Sequence, residues 1–161
     1  MIDRTETATF GAGCFWGVEQ AFRRLPGVLR TSVGFMGGRS ENPTYNQVCI
    51  GNTGHAEVVQ VVFAPSEIPY DKLLDHFWMI HDPTIWVKSN PDTASQYRSA
   101  IFYHSEEQAE RATASKQKWQ SKYNNAIATE ISPASTYTLA DSSHQHYEEK
   151  QARLLTSQTN R

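Results

Sequence analysis

The segment Val58-Val59-Gln60-Val61-Val62-Phe63 is β-branched or apolar on both of its faces. A strand of that kind must be covered on both sides, so it belongs in the middle of a sheet. The rest of the chain has to supply its neighbours. Thr7-Ala8-Thr9-Phe10 reads as a short strand running into Gly11-Ala12-Gly13. Leu29, Thr31, Val33 and Phe35 alternate with Arg30, Ser32 and Gly34, the period of a half-buried strand, and Ser99 to Tyr103 forms a fourth. Val18, Ala21, Phe22 and Leu25 share one face of a helix predicted from Phe15 to about Arg24, stopped by Pro26-Gly27. Leu73, Leu74, Phe77 and Trp78 mark a second helix that ends near His81. Ser105 with Gln108 three residues later is a capping box, opening a long helix to about Tyr123.

The order strand, helix, strand, strand, helix, strand, then a further helix predicts an α+β fold, a ferredoxin-like split βαβ sandwich with an appended C-terminal helix. A chain of 161 residues with no repeat and no Pro/Ser-rich linker reads as a single domain over 1–161. Met36 to about Gly54 and Asp82 to Ser95 lack periodicity and read as long active-site loops. Lys and Arg number 15 against 17 for Asp and Glu, a formal charge of -2, which excludes the basic surplus of a nucleic-acid binder. No apolar run approaches the roughly 20 residues of a membrane helix. Nor does the start resemble a signal peptide, so a cytoplasmic protein is expected.

The chain has 2 cysteines, Cys14 and Cys49, too few for a disulfide framework. In a reducing compartment each is either a buried apolar residue or a reactive thiol. Cys14 follows a glycine-rich turn and opens a helix, where backbone N–H groups and the helix dipole favour a thiolate. Phe15 and Trp16 are bulky rings for a solvated helix start; they are core residues or the walls of a pocket. Glu57 precedes the apolar strand, and is either a solvated strand-edge carboxylate or a buried acid with a raised pKa. His55 could serve Cys14 as a base in a cysteine hydrolase or acyltransferase, though Glu57, two residues along a strand, would align it poorly. His144 and His146 form a His-x-His pair with no third ligand at metal spacing, and read as a polar cluster at a helix start.

Gly13-Cys14-Phe15-Trp16-Gly17 resembles the signature of the A-type peptide methionine sulfoxide reductases. Further blocks follow in order: Gly37-Gly38 with Asn42-Pro43-Thr44-Tyr45, Val48-Cys49 with Thr53-Gly54-His55-Ala56-Glu57, His81-Asp82-Pro83-Thr84, Gln96-Tyr97-Arg98-Ser99, and His144-Gln145-His146-Tyr147. The resemblance covers roughly residues 8 to 147. It implies thiol-dependent reduction of methionine S-sulfoxide, free or in proteins, as repair of oxidative damage.

In that reaction a thiolate attacks the sulfoxide sulfur while donors aimed at the oxygen make it a leaving group. Carried over residue by residue, Cys14 is the nucleophile, Glu57 the general acid, and Tyr45 and Tyr97 the donors to oxygen. Phe15 and Trp16 would form the pocket for the substrate's methyl group. Asp92 would support the site by hydrogen bonding, although Val87-Lys88-Ser89-Asn90-Pro91 before it departs from the family's pattern. The final residues carry no cysteine, so the resemblance implies a one-cysteine subtype with a Cys14 sulfenic acid, and Cys49 buried and inert. An external reductant, glutaredoxin with glutathione or thioredoxin, would restore Cys14. No metal or organic cofactor is required, and the expected state is a monomer.

Overall fold

β3 (Ala56–Phe63) lies between β1 (Glu6–Ala12) and β2 (Val28–Met36), as its two apolar faces require. The computed structural model describes residues 4–38, 41–50, 53–84 and 95–159. Six strands form one sheet in the order β5-β4-β1-β3-β2-β6, with β4 at Ser99–Tyr103, β5 at Glu130–Pro133 and β6 at Thr138–Leu139. The central run β4-β1-β3-β2 is antiparallel throughout, and β5 joins β4 in parallel. The helices are α1 (Phe15–Arg23), α2 (Tyr45–Ile50), α3 (Tyr70–Met79), α4 (Glu106–Gln120) and α5 (Tyr147–Thr159).

The two faces of the sheet are covered differently. The larger core joins Phe10, Val59, Val61 and Phe63 of the sheet to Phe22 of α1 and Phe77 of α3, all nearly or fully buried. Phe10 stacks on Phe22 at 5.0 Å with an interplanar angle of 3°. On the other face a smaller cluster of Met36, Ala56, Val58, Ala100 and Phe102 is covered by Ala134 and Tyr137. That cover comes from the segment holding β5 and β6, which the sequence reading left without strands. The same reading left α2 inside a loop and gave α5 only a helix start near His144 and His146, without a range.

β2 departs from the expected alternation. Leu29 is 53% exposed, because the register skips it: Val28 faces Phe63 and Arg30 faces Val62. The bulge turns Leu29 outward. The later half, Val33 to Met36, is buried on both faces because β6 and its flanking chain lie against it.

α4 starts as expected: the Ser105 hydroxyl accepts the Gln108 N–H at 3.2 Å. Gln108 then reaches back to the N–H of His104 rather than of Ser105, and its amide nitrogen donates to the Thr7 carbonyl at 2.9 Å. The cap thus ties the helix to β1.

At its β6 edge the sheet is continued by a side chain. Gln145 accepts the Val33 N–H at 2.8 Å and donates to the Val33 carbonyl at 2.8 Å and the Ala140 carbonyl at 2.9 Å. One residue on, the His146 N–H donates at 2.7 Å to Glu19, a carboxylate only 1% exposed that also accepts from Thr31 Oγ1 at 2.8 Å. His146 adopts a left-handed backbone with φ of 52°. These bonds fix the chain between β6 and α5 against α1, at the end of the sheet where Cys14 lies.

Candidate active site

Gly13 takes φ of 103°, a conformation that a side chain would strain, and this turns the chain out of β1 and into α1. Cys14 is the N-cap residue of α1 and is exposed. The N–H groups of Trp16 and Gly17 favour the thiolate form of its sulfur, as the helix-terminus argument expects, although the side chain makes no capping hydrogen bond. Their pull towards the thiolate is nonetheless overcome. Desolvation on the protein side of the sulfur raises the thiol's pKa, and the charges of Glu57 and Glu148 add to it. The expected thiolate preference of the resting site is therefore corrected.

Glu57 is 1% exposed, so of its two readings the structure selects the buried acid. Its Oε1 accepts the Phe15 N–H at 3.3 Å, while Oε2 is buried with no partner. Burial pushes its pKa up to about 7, against the weaker lowering effect of the Phe15 N–H. At neutral pH a large fraction of Glu57 carries a proton within an apolar strand end.

Tyr45 begins α2, and Tyr97 lies in a 3₁₀ turn just before β4. Burial raises the pKa of both phenols, and the nearby Glu57 carboxylate raises them further. Both phenols are neutral donors at physiological pH. Tyr97 also feels the charges of Cys14 and Cys49. Cys14, Glu57, Tyr45 and Tyr97 thus come from four separate segments to one place. Asp92 and the Val87–Pro91 segment lie outside the described residues.

Phe15 is 1% exposed and packs with Phe35 at 5.7 Å and Tyr45 at 6.1 Å between centroids. Trp16 is half-buried, with Tyr45 at 6.2 Å and Tyr147 stacked on it at 4.0 Å. Its indole N–H donates to His144 Nδ1 at 3.1 Å, and the His144 ring stacks on Tyr45 at 4.3 Å. His144 and Tyr147 are therefore part of the aromatic wall, a role the sequence analysis did not give them. His146 instead faces Glu19 at 3.5 Å and Glu149 at 3.6 Å, so the two imidazoles of the pair serve different partners. His55 is buried, with Nδ1 accepting the Gly38 N–H at 3.1 Å, and is engaged in holding a loop.

Cys49 contradicts its expectation: it is exposed. Tyr45 and Cys49 lie four apart on α2 and share a face, and the neighbouring Cys49 adds to the rise in the Tyr45 pKa caused by burial. Gln96 Nε2 lies 3.8 Å from the same sulfur, and the Gln96 side chain partly offsets the rise in the Tyr97 pKa. The burial that made Cys49 inert in the one-cysteine reading is absent.

Similarity to known proteins agrees with this geometry. The family model for peptide methionine sulfoxide reductase matches residues 6–160. The peptide methionine sulfoxide reductase MsrA of Methanothermobacter thermautotrophicus is 53% identical over 154 residues, 94% of this chain and 91% of that one. The reduced form of Mxr1 from Saccharomyces cerevisiae superposes with a TM-score of 0.85 at 35% identity, covering 91% of this chain and 86% of the other. Mxr1 in complex with Trx2 gives a TM-score of 0.65 at 29% identity, covering 89% and 85%. With a matching model over nearly its whole length and a relative more than half identical to it, this chain belongs to the peptide methionine sulfoxide reductase family.

Proposed function

We propose that this protein reduces methionine S-sulfoxide to methionine, free or in oxidised proteins, with Cys14 as nucleophile and Glu57 as general acid. The observation that carries the reading is the buried Glu57 carboxyl, raised to about 7, with Oε2 unpartnered and Oε1 on the N–H next to Cys14. A sulfoxide oxygen leaves from sulfur only if it is protonated, and such an acid supplies a proton at neutral pH. Tyr45 and Tyr97 donate hydrogen bonds to the oxygen while its negative charge grows. Phe15 and Trp16 hold the methyl group, so the oxygen side and the methyl side are fixed relative to the attacking sulfur. Only one sulfoxide epimer then fits with its lone pair away from Cys14 and its oxygen on Glu57, and the family resemblance assigns the S form.

The attack forms a bond between the Cys14 sulfur and the substrate sulfur as the oxygen gains its proton. The protonated oxygen then passes to the Cys14 sulfur as the S–S bond and the substrate's S–O bond break, so that methionine departs and Cys14 is left as a sulfenic acid. Asp92 is proposed to support the substrate by hydrogen bonding. An external thiol, from thioredoxin or from glutaredoxin with glutathione, closes the cycle; a relative captured with Trx2 supports a protein reductant. The reading as a cytoplasmic monomer rests on sequence alone. Among the described residues no helix is long and apolar enough to cross a membrane.

The test is methionine release from a peptide carrying each separated sulfoxide epimer, in excess dithiothreitol. Release from the S epimer alone is expected. Equal release from both epimers would overturn the pocket assignment. No release from either, with turnover of thioesters, would make the protein a cysteine acyl-transfer enzyme instead.

A further inference from the structure

The block His81-Asp82-Pro83-Thr84 has no part in the reaction described above, yet its histidine bonds α3 to the sheet. Its Nδ1 lies 2.7 Å from the carbonyl oxygen of Phe77, one of the last four residues of α3, whose carbonyls have no partner within the helix. Its Nε2 lies 2.7 Å from Ser99 Oγ, and Ser99 Oγ lies 2.7 Å from Thr129 Oγ1. Both hydroxyl residues are buried. A carbonyl can only accept, so Nδ1 carries a hydrogen. Burial lowers the pKa of the ring, against the opposite effects of the Phe77 carbonyl and Asp82, so the ring is neutral and Nε2 is an acceptor. The Ser99 hydroxyl therefore donates to Nε2, and the Thr129 hydroxyl donates to Ser99. Every direction in this chain of bonds is set.

Ser99 is the point where two segments of the site leave the sheet. It opens β4 two residues after Tyr97, and it pairs with Ala12 of β1, two residues before Cys14. Arg98, between Tyr97 and Ser99, is held separately, by Glu130 at 3.1 Å and by the Gly54 carbonyl at 3.0 Å. From this placement we infer that His81, acting through Ser99, is a positioning residue that sets Tyr97 relative to Cys14. The inference rests on the reductase reading above. His81 exchanges no proton with the substrate; it fixes the start of β4, and with it the turn that aims the Tyr97 phenol at the sulfoxide oxygen. A hydrogen-bond donor misplaced by a fraction of an ångström stabilises the growing charge less, although the substrate still binds.

The experiment is a double-mutant cycle on single-turnover methionine release from the S epimer of a methionine sulfoxide peptide. His81→Leu, His81→Gln and Ser99→Ala are each made in the full chain and in Tyr97→Phe, at a temperature where urea unfolding shows every variant folded. His81→Leu and Ser99→Ala should slow release about 10- to 100-fold, the scale of a misplaced group, with little change in peptide affinity. His81→Gln keeps one donor and one acceptor and should recover most of the rate. In Tyr97→Phe, which has no phenol to place, the same substitutions should change the rate by less than about twofold. Equal losses with and without the Tyr97 hydroxyl, or no recovery with Gln, would overturn the inference. Should His81→Leu not fold, Ser99→Ala completes the cycle. Nitrogen-15 shifts of the His81 ring in the unaltered protein at neutral pH check the bond directions: Nδ1 protonated and Nε2 bare is expected, and a protonated Nε2 would overturn the inference. No methionine from the unaltered protein would instead overturn the reductase reading on which it stands.

Discussion

Glu57 Oε1 accepts the backbone N–H of Phe15 at 3.3 Å, so the proposed acid is held by the residue that follows the proposed nucleophile, Cys14. Acid and sulfur therefore keep a fixed relation through the first turn of α1. Their pKa values also lie in an unusual order. Glu57 is raised to about 7, and Cys14 is raised above the ordinary thiol value of 9.0. The reacting form, with a protonated Glu57 and an ionised Cys14, is a minor species at every pH.

This order predicts the shape of the pH profile. Below about 7 Glu57 is protonated, and each unit of pH raises the thiolate fraction about tenfold, so kcat/KM rises. Above about 7 the gain in thiolate is matched by loss of the Glu57 proton, and the profile is flat until Cys14 itself titrates. In Glu57→Gln the break near 7 should vanish while the rate falls about 100- to 10,000-fold. Stopped-flow rates across pH 5 to 10 check this. A break that persists in the variant would belong to another group.

The same carboxyl makes stability depend on pH. A carboxyl whose pKa is raised on folding costs nothing extra below its unfolded value. The cost grows as pH rises from there through the folded value. Glu57→Gln should therefore leave stability nearly unchanged at pH 4.5 and increase it at pH 8 relative to the parent. From 4.5 to about 7 the span corresponds to about 3 kcal/mol. Urea unfolding at the two pH values measures it. An equal effect at both would remove the burial account of Glu57.

Trp16 is held by His144 through its indole N–H and by Tyr147 through ring stacking. His144→Ala should raise KM for a sulfoxide peptide by about tenfold, the scale of a lost aromatic contact, with a smaller change in kcat. His144→Asn keeps an acceptor for the indole and should recover part of the loss. Steady-state kinetics of the two variants decide it. Equal KM values in both would mean that the indole's orientation does not matter to substrate.

Gly34 of β2 has no room for a side chain. An added Cβ would lie 2.3 Å from the Thr138 carbonyl oxygen and 2.5 Å from the Tyr137 ring. Gly34→Ala should push the β6 segment off the sheet and cost about 1–3 kcal/mol. It should also free the Tyr137 phenol from Ser32, now 2.8 Å apart. The denaturant midpoint reports the first effect, and an unchanged midpoint would show that β6 does not pack there in solution.

Much of this site is legible in the sequence because its residues fall at element boundaries. The Gly-Cys junction, the paired rings at a helix start and a glutamate before an apolar strand can each be read locally. The four strands of the central sheet are legible for the same reason: periodicity reports which face is buried. Cys49 is not legible in this way. Its spacing of four from Tyr45 has meaning only once that segment is helical, and α2, with its six residues, is too short to show a period. His144 and Tyr147 are hidden for a different reason. They reach Trp16 across about 130 positions of chain, a separation no local pattern encodes.

The Gln145 side chain has a consequence beyond the active site. A strand edge with a bare N–H and carbonyl is a template on which another extended chain can add, and this is how many β proteins begin to aggregate. At Val33 the edge is stoppered by the Gln145 amide, which mimics a peptide group, together with the Ala140 N–H, and the segment that carries His144 and Tyr147 places that amide there. The segment that shapes the pocket therefore also covers the sheet edge at Val33. A lesion that loosens this segment would be felt as insolubility as well as lost turnover.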